Sequence, residues 1–261
     1  MQSNSGQTKQ AGNPFEKLLR YFANDVILGS GYPWELLFLH AVSANVSWRK
    51  HVELARETRG KNLTEKRSWL LDPFCAYLCH AFGGSTLRDL SMGQTPSLFG
   101  NPDVPGGFFL AYLLVNNSPF DFVYKAVNTP KSPIRLIVTA YEAVDCATTV
   151  FGSVEKAKRL FPESPLAPFL AGMIAGLGGS VFRYIERRFG RNWDVRTELS
   201  QPTVVTRRTL LYTIVYMQLR EVIGWKDTRL YMTIFHVIWS LLQEITGRSL
   251  DFTRHTISKL L

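Results

Sequence analysis

The sequence predicts an all-α membrane protein of seven transmembrane helices, arranged as two inverted three-helix repeats followed by a seventh helix. Three observations lead there. First, Phe82-Gly83-Gly84-Ser85-Thr86-Leu87-Arg88 recurs as Leu177-Gly178-Gly179-Ser180-Val181-Phe182-Arg183, and at the same offset of 95 residues Pro73, Phe74 and Ala76 fall on Pro168, Phe169 and Ala171. At an offset of 100, Leu110, Tyr112, Val115 and Asp121 fall on Leu210, Tyr212, Val215 and Glu221, the mark of an internal duplication. Second, seven apolar segments follow one another in series. Third, threading those segments alternately puts twenty of the thirty Lys and Arg residues on one side and eight on the other, with 93–105 free of both. The positive-inside rule makes the basic side cytosolic.

In order along the chain, residues 1–13 are rich in Gln, Ser, Asn and Gly and are predicted to be disordered. The helical domain is expected to cover 14–247, opening with an amphipathic helix in which Phe15, Leu18, Leu19, Phe22 and Val26 recur at helical spacing. Repeat one spans about 32–127. It holds an apolar helix from Trp34 to Trp48, uncharged between Leu36 and Trp48, a charged connection from Arg49 to Arg67, the Gly-Gly helix from Ser68 to Met92, and a helix from Gly106 to Lys125 interrupted at Pro119. Repeat two spans about 133–225 and repeats the plan with segments 134–154, 166–186 and 209–224. The seventh helix takes about 229–246, and 248–261 is a basic cytosolic tail.

Composition bounds this reading without deciding it. The 261 residues are 46% apolar, carry a formal charge of +9 and have a mean hydropathy of −0.03. That value is low for a membrane protein, so the membrane reading rests on how residues are distributed. Cys75, Cys79 and Cys146 are an odd set with no paired spacing, which predicts buried thiols rather than a disulfide framework or a metal site. Met1 to Asn13 is polar, so targeting is expected to depend on an internal segment. No phosphate-cradling loop, His-Glu-x-x-His or supported nucleophile set occurs, so neither a catalytic site nor a cofactor is expected. The basic loops alternate with apolar segments and carry no nucleic-acid recognition motif.

The candidate site residues follow from this pattern. A glycine pair in an apolar helix either lets a neighbouring helix approach closely or lets the helix open, and matched pairs in two repeats point to an ion pathway. Gly83, Gly84, Ser85, Gly178, Gly179 and Ser180 are therefore pathway candidates. Glu142 and Asp145, three residues apart, share a helix face. Each acid at mid-membrane costs about 2.5–3.5 kcal/mol, which the few large aliphatic residues around them do not offset, so they must face protein or water. They read either as pathway carboxylates or as members of ion pairs with Arg88, Arg183 or Arg220. Lys125 pairs with Asp121 or anchors an interface, Arg88 and Arg183 repel cations or bind lipid phosphate, and His236 and Trp239 read as packing.

Several of these residues carry a resemblance to a known family. Trp69 with the Phe82-Gly83-Gly84 helix and Asp89, the stretch Gly93-Gln94-Thr95-Pro96, and above all Pro119-Phe120-Asp121-Phe122-Val123-Tyr124-Lys125 are similar to motifs of the trimeric intracellular cation (TRIC) channels. The likeness runs from about Trp34 to Gly247. It implies a homotrimer with a potassium-permeable pore in each subunit, a monovalent cation channel contacting membrane lipids in the endoplasmic reticulum or another intracellular membrane. A secondary transporter is the alternative of the same architecture, and a soluble helical scaffold a more distant one. One departure stands out. Animal members carry Lys-Glu-Val-x-Arg-x-x-Lys on the fourth helix, which holds an inositol phospholipid, whereas this chain reads Tyr141-Glu142-Ala143-Val144-Asp145-Cys146-Ala147-Thr148. Phosphoinositide binding is therefore not implied here.

Overall fold

Helix ends fall where proline, glycine and small polar residues place them. Ser132 stands outside the helical region and its hydroxyl accepts the Arg135 amide at 3.0 Å, while Pro133 occupies the first turn, where its missing N–H costs nothing. This cap starts α5 (Pro133–Leu160), the longest helix among the described residues. Gly224 (φ 87°) separates α7 (Val204–Ile223) from α8 (Trp225–Thr246), and Gly247 (φ 66°) ends α8 with its amide on the Gln243 carbonyl. The computed structural model describes residues 21–27, 34–59, 71–100, 103–185 and 204–247. The expected disordered segment 1–13 and the tail 248–261 lie outside the described residues.

The remaining helices are α1 (Trp34–Arg59), α2 (Leu71–Ser91), α3 (Asp103–Asn117), α4 (Phe122–Asn128) and α6 (Leu166–Ile185). A short π-helix at Phe22–Ile27 and a helical turn at Ser97–Gly100 complete the described elements with the 3-10 turn Pro119–Asp121. Each of the seven apolar segments forms a helix. The charged stretch after Trp48 continues α1 without a break to Arg59.

Two larger apolar cores and a small cluster of Met92, Ala157 and Ala171 are found among the described residues. The first joins α1, α2 and α3 through Ala41, Tyr77, Phe82, Phe108, Ala111 and Val115. Phe82 and Phe108 pack with ring centroids 4.4 Å apart, and the buried Tyr77 hydroxyl donates to the Ala41 carbonyl at 2.7 Å. The second joins α5, α7 and α8 through Ala147, Val150, Phe151, Val154, Tyr216 and Met232, with Phe151 stacked on Tyr216 at 4.5 Å.

Between the cores, α2 lies against α6, and the two glycine pairs meet there. A Cβ on Gly84 would fall onto the Ala175 carbonyl oxygen, and a Cβ on Gly178 would fall onto the Gly84 Cα. Both helices run unbroken through these residues. The glycines thus serve close backbone approach. A second glycine pair of α6 faces α7, where Cβ atoms at Gly172 and Gly176 would collide with Thr213 and Thr209.

The expected membrane architecture is not what forms. Among the described residues no helix is long and apolar enough to cross a membrane. This overturns the seven transmembrane helices, the multi-pass integral placement in the endoplasmic reticulum or another intracellular membrane, and the reading as a potassium channel spanning such a membrane. An all-α helical bundle stands in their place. The physical reason is visible helix by helix. α3 has only 15 residues, α1 is charged from Arg49 onward, α5 carries Arg135, Glu142, Asp145 and Glu155, and α7 carries Arg207, Arg208, Arg220 and Glu221. α6 is apolar and stays free of charge until Arg183 in its last turn. Freedom from charge was legible in these runs, and it is a weaker property than apolarity over a full membrane thickness.

The glycine contact yields a test. Gly84→Leu and Gly178→Leu should each destabilise the fold by about 3 kcal/mol, the upper end of overpacking penalties, because the obstruction is backbone that cannot repack. Gly106→Ala, at an exposed site where a Cβ meets nothing, should change stability by no more than about 1 kcal/mol. Urea unfolding followed by helical circular dichroism measures both.

Candidate functional site

α1 places His40 and Ser43 one turn apart, and α5 places Glu142 and Asp145 opposite them. Ser43 Oγ donates to Glu142 Oε1 at 2.5 Å, and His40 Nδ1 lies 3.1 Å from Asp145 Oδ2. Arg135, two turns before Glu142 on α5, approaches it at 3.7 Å and reaches Glu244 of α8 at 3.4 Å. The two acids therefore share a face as expected, but their described partners are Ser43, His40 and Arg135 rather than Arg88 or Arg220. On another face of α1, toward α3, the fully buried Asn45 donates to the Ala111 carbonyl and accepts from Asn116.

The motif from Pro119 to Lys125 acts through a break in the chain direction. Pro119 starts a 3-10 turn in which Phe120 (φ 55°) and Asp121 (φ 58°) adopt left-handed conformations, unusual for non-glycine residues. The turn presents the Asp121 carboxylate to Arg49, which donates to both its oxygens at 3.1 and 2.9 Å and to Glu53 at 2.9 Å. Paired with that guanidinium, the Asp121 carboxyl is held below the usual carboxylate range. The Arg49 guanidinium also lies 4.1 Å from the Tyr124 ring centre, and the Tyr124 hydroxyl donates to Glu53. Asp121 thus pairs with Arg49, not chiefly with Lys125, whose side chain is exposed.

Two further clusters compensate buried acids. Asp89, 1% exposed, accepts from Arg88 at 2.8 Å, from Lys156 of α5 at 3.1 Å and from the Ser97 amide at 3.2 Å. Glu155, the residue before Lys156 on α5, accepts from Arg220 at 2.7 and 3.0 Å and from the Tyr216 hydroxyl at 3.1 Å. Arg88 and Arg220 are thereby committed to neighbouring carboxylates. Arg183 lies at the end of α6, where its side chain is not described. Ser85 turns its hydroxyl back to the Phe82 carbonyl at 3.1 Å, and Ser180 is buried. Cys75 and Cys79, expected to be buried, are exposed on α2, and Cys146 is half-buried.

Sequence reasoning missed a cavity of about 490 Å³ between α5, α7 and α8. Arg135, Thr139, Glu142 and Cys146 of α5 line it from one side, Arg208 of α7 from another, and His236 and Glu244 of α8 close it. The signal in the chain is the pair Arg207-Arg208 at the start of α7, which the sequence alone does not connect to α5 or α8. Among the described residues no three His, Cys, Asp or Glu side chains form a group able to hold a metal ion.

With the fold and these sites in view, comparison with known proteins places the chain. A model of the TRIC channel family matches residues 64–246, and the chain belongs to that family. TRIC proteins are ion channels, so the chain is no enzyme. It is 27% identical over 150 residues to the trimeric intracellular cation channel type 1B.2 of Caenorhabditis elegans, a match covering 55% of this chain and 47% of that protein. It is 25% identical over 207 residues to the trimeric intracellular cation channel type B of Danio rerio, covering 78% and 70%. The chain thus spans about half the length of the first relative. The fold is like that of a C. elegans trimeric intracellular cation channel solved in the absence of Ca²⁺, with TM-score 0.65, 20% identity, and coverage of 84% of this chain and 92% of that one. The same likeness holds for the Ca²⁺-bound structure, with TM-score 0.66, 17% identity, and coverage of 89% and 99%.

The His40–Asp145 contact defines a pH behaviour. Burial lowers His40 to about 4 and raises Asp145 to about 7, although 24% and 20% of the two side chains remain accessible. The His40 ring also bonds the Ala81 backbone, so a neutral imidazole donating there accepts at Nδ1, and the proton between the pair sits on Asp145. Between about pH 4 and 6.5 the folded pair therefore binds one proton, as does the unfolded pair with ionised Asp and protonated His. Stability should not change with pH through this pair. In Asp145→Asn the unfolded state alone binds the His40 proton, so stability should rise by about 1.4 kcal/mol per pH unit across that window. Chemical denaturation at a series of pH values tests the difference; equal slopes for the two proteins would refute a shared proton.

Proposed function

We propose that the chain serves cation passage, with potassium as the ion, as one of three copies. The family match over residues 64–246 carries this reading, and the names of the relatives supply both the trimer and the cation. Within the fold we assign the passage to the polar seam between α1 and α5, where Ser43 and His40 face Glu142 and Asp145. Glu142 is its charged member. Asp145, carrying a proton below about pH 7, supplies a polar group rather than a steady charge. Gly83, Gly84, Gly178 and Gly179 set the backbone spacing beside the seam, with Ser85 and Ser180 flanking it. Lipid contact is proposed for one edge of α8, where Tyr231, Ile238, Leu242 and Ile245 are each more than two-fifths exposed.

Purified protein should elute with three times the chain mass in light scattering and should bind potassium in calorimetric titration at constant ionic strength in choline chloride. Glu142→Gln should weaken that binding with the trimer intact. A monomer, or a trimer that binds no potassium, would refute the reading. Ile238→Glu should reduce flotation of the protein with vesicles if the α8 edge meets lipid.

A further inference from the structure

The cavity between α5, α7 and α8 has a charge balance that its own residues do not complete. Its two carboxylates are already engaged. Glu142 accepts from Ser43 and faces Arg135, and Glu244 accepts from Arg135 and from the Lys131 amide at 3.3 Å. Arg208 projects from α7 to the same space and makes no ion pair or hydrogen bond among the described residues, nor does the Lys131 ammonium. The cavity therefore carries cationic groups in excess of its carboxylates.

Its uncommitted polar atoms are donors. Thr139 is 6% exposed and its hydroxyl has no hydrogen-bond partner, which normally costs about 1–3 kcal/mol in a buried site. His236 is 2% exposed and its Nδ1 lies 2.9 Å from the Tyr212 hydroxyl. Burial pushes Tyr212 up to about 12 and His236 down to about 3, so the phenol keeps its proton and donates it to a neutral ring. That fixes the remaining ring proton on Nε2, a second donor in the cavity wall. A cation would have to strip Glu142 or Glu244 from Arg135. An acceptor-rich anion displaces nothing and satisfies Arg208, Thr139 and His236 together. A volume near 490 Å³ lies within the range of small-ligand sites.

We propose that this cavity binds a phosphate-class oxyanion, with Arg208 as its charge partner and Thr139 and His236 as hydrogen-bond donors. Arg208 comes from α7, His236 from α8 and Thr139 from α5, so the bound anion ties three helices together at one end of the bundle. The site is separate from Tyr141 and Asp145, which stand where related channels carry basic residues. Tyr141 is buried and Asp145 turns to α1. The proposal does not depend on cation passage.

Cys146 in the cavity wall provides the readout. In full-length protein with Cys75→Ser and Cys79→Ser, alkylation of Cys146 should slow as inorganic phosphate is titrated at constant ionic strength in chloride. The rate should fall by about tenfold when phosphate reaches about ten times its Kd. Arg208→Gln should abolish the protection and Thr139→Val weaken it; Thr139→Val should keep the alkylation rate in chloride alone, whereas Arg208→Gln should lower it, because the guanidinium favours the Cys146 thiolate, and helical circular dichroism certifies that both variants are folded. A parallel arm uses vesicles of phosphatidate against phosphatidylcholine. Protection by free phosphate assigns a soluble ligand, and protection only by phosphatidate assigns a lipid headgroup. Equal rates in phosphate, phosphatidate and chloride, or protection that survives Arg208→Gln, would overturn the site.

Discussion

The contact on which the bundle depends is the crossing of α2 and α6 at Gly84 and Gly178. Without side chains between them the two backbones touch, and that distance sets the position of everything attached to either helix. It lets Phe82 reach Phe108 in the first core, and it brings the other glycine face of α6 against Thr209 and Thr213 of α7, beside the second core. A bundle of this size could have been held by large side chains interdigitating at every interface. Here the central interface is made by removing them, so it has little capacity to adjust and the two cores are held in one mutual arrangement.

Charge is the second constraint. α5 carries acids and bases along most of its length, and the fold accommodates them by giving each enclosed carboxylate a partner from another helix. Glu142 and Asp145 look to α1, Glu155 looks to Arg220 of α7, and Lys156 reaches Asp89 at the end of α2. A buried ion pair contributes little net stability against an apolar alternative, whereas removing one partner leaves an uncompensated charge. These pairs therefore select one register of α5 among its neighbours more than they strengthen it. The same residues keep α5 from offering an apolar surface long enough for a bilayer.

Local features of the fold were legible in the chain. Proline and glycine mark the helix ends at Pro133, Gly224 and Gly247. The break at Pro119 is where it was expected, and the recurrence of Gly-Gly-Ser marks close approach because only a shared steric need repeats a pair of glycines in matched settings. What was not legible depends on residues far apart in sequence. Ser43 and Glu142 are 99 residues apart, and no periodicity on either helix says that they meet. The exposure of Cys75 and Cys79 depends on which side of α2 its neighbours cover, although thiols in an apolar run normally imply burial. The membrane reading failed for a different reason. It took absence of charge in short stretches as a sign of length, and α3 has only 15 residues.

The link from Arg135 to Glu244 bears on how the chain is made. These residues are 109 apart, and the second closes the bundle against the first turns of α5. A ribosome adding about 5–20 residues per second leaves Arg135 waiting on the order of ten seconds for its partner. Through that interval the start of α5 has its Ser132 cap and the acid on its own helix, but no α8 to cover it. The amino-terminal core of α1, α2 and α3 can assemble early from neighbours in sequence, while the carboxy-terminal half must await release of α8. A nascent chain stalled before Glu244 would thus present an incompletely covered α5, a natural point for a chaperone to engage or a protease to intervene.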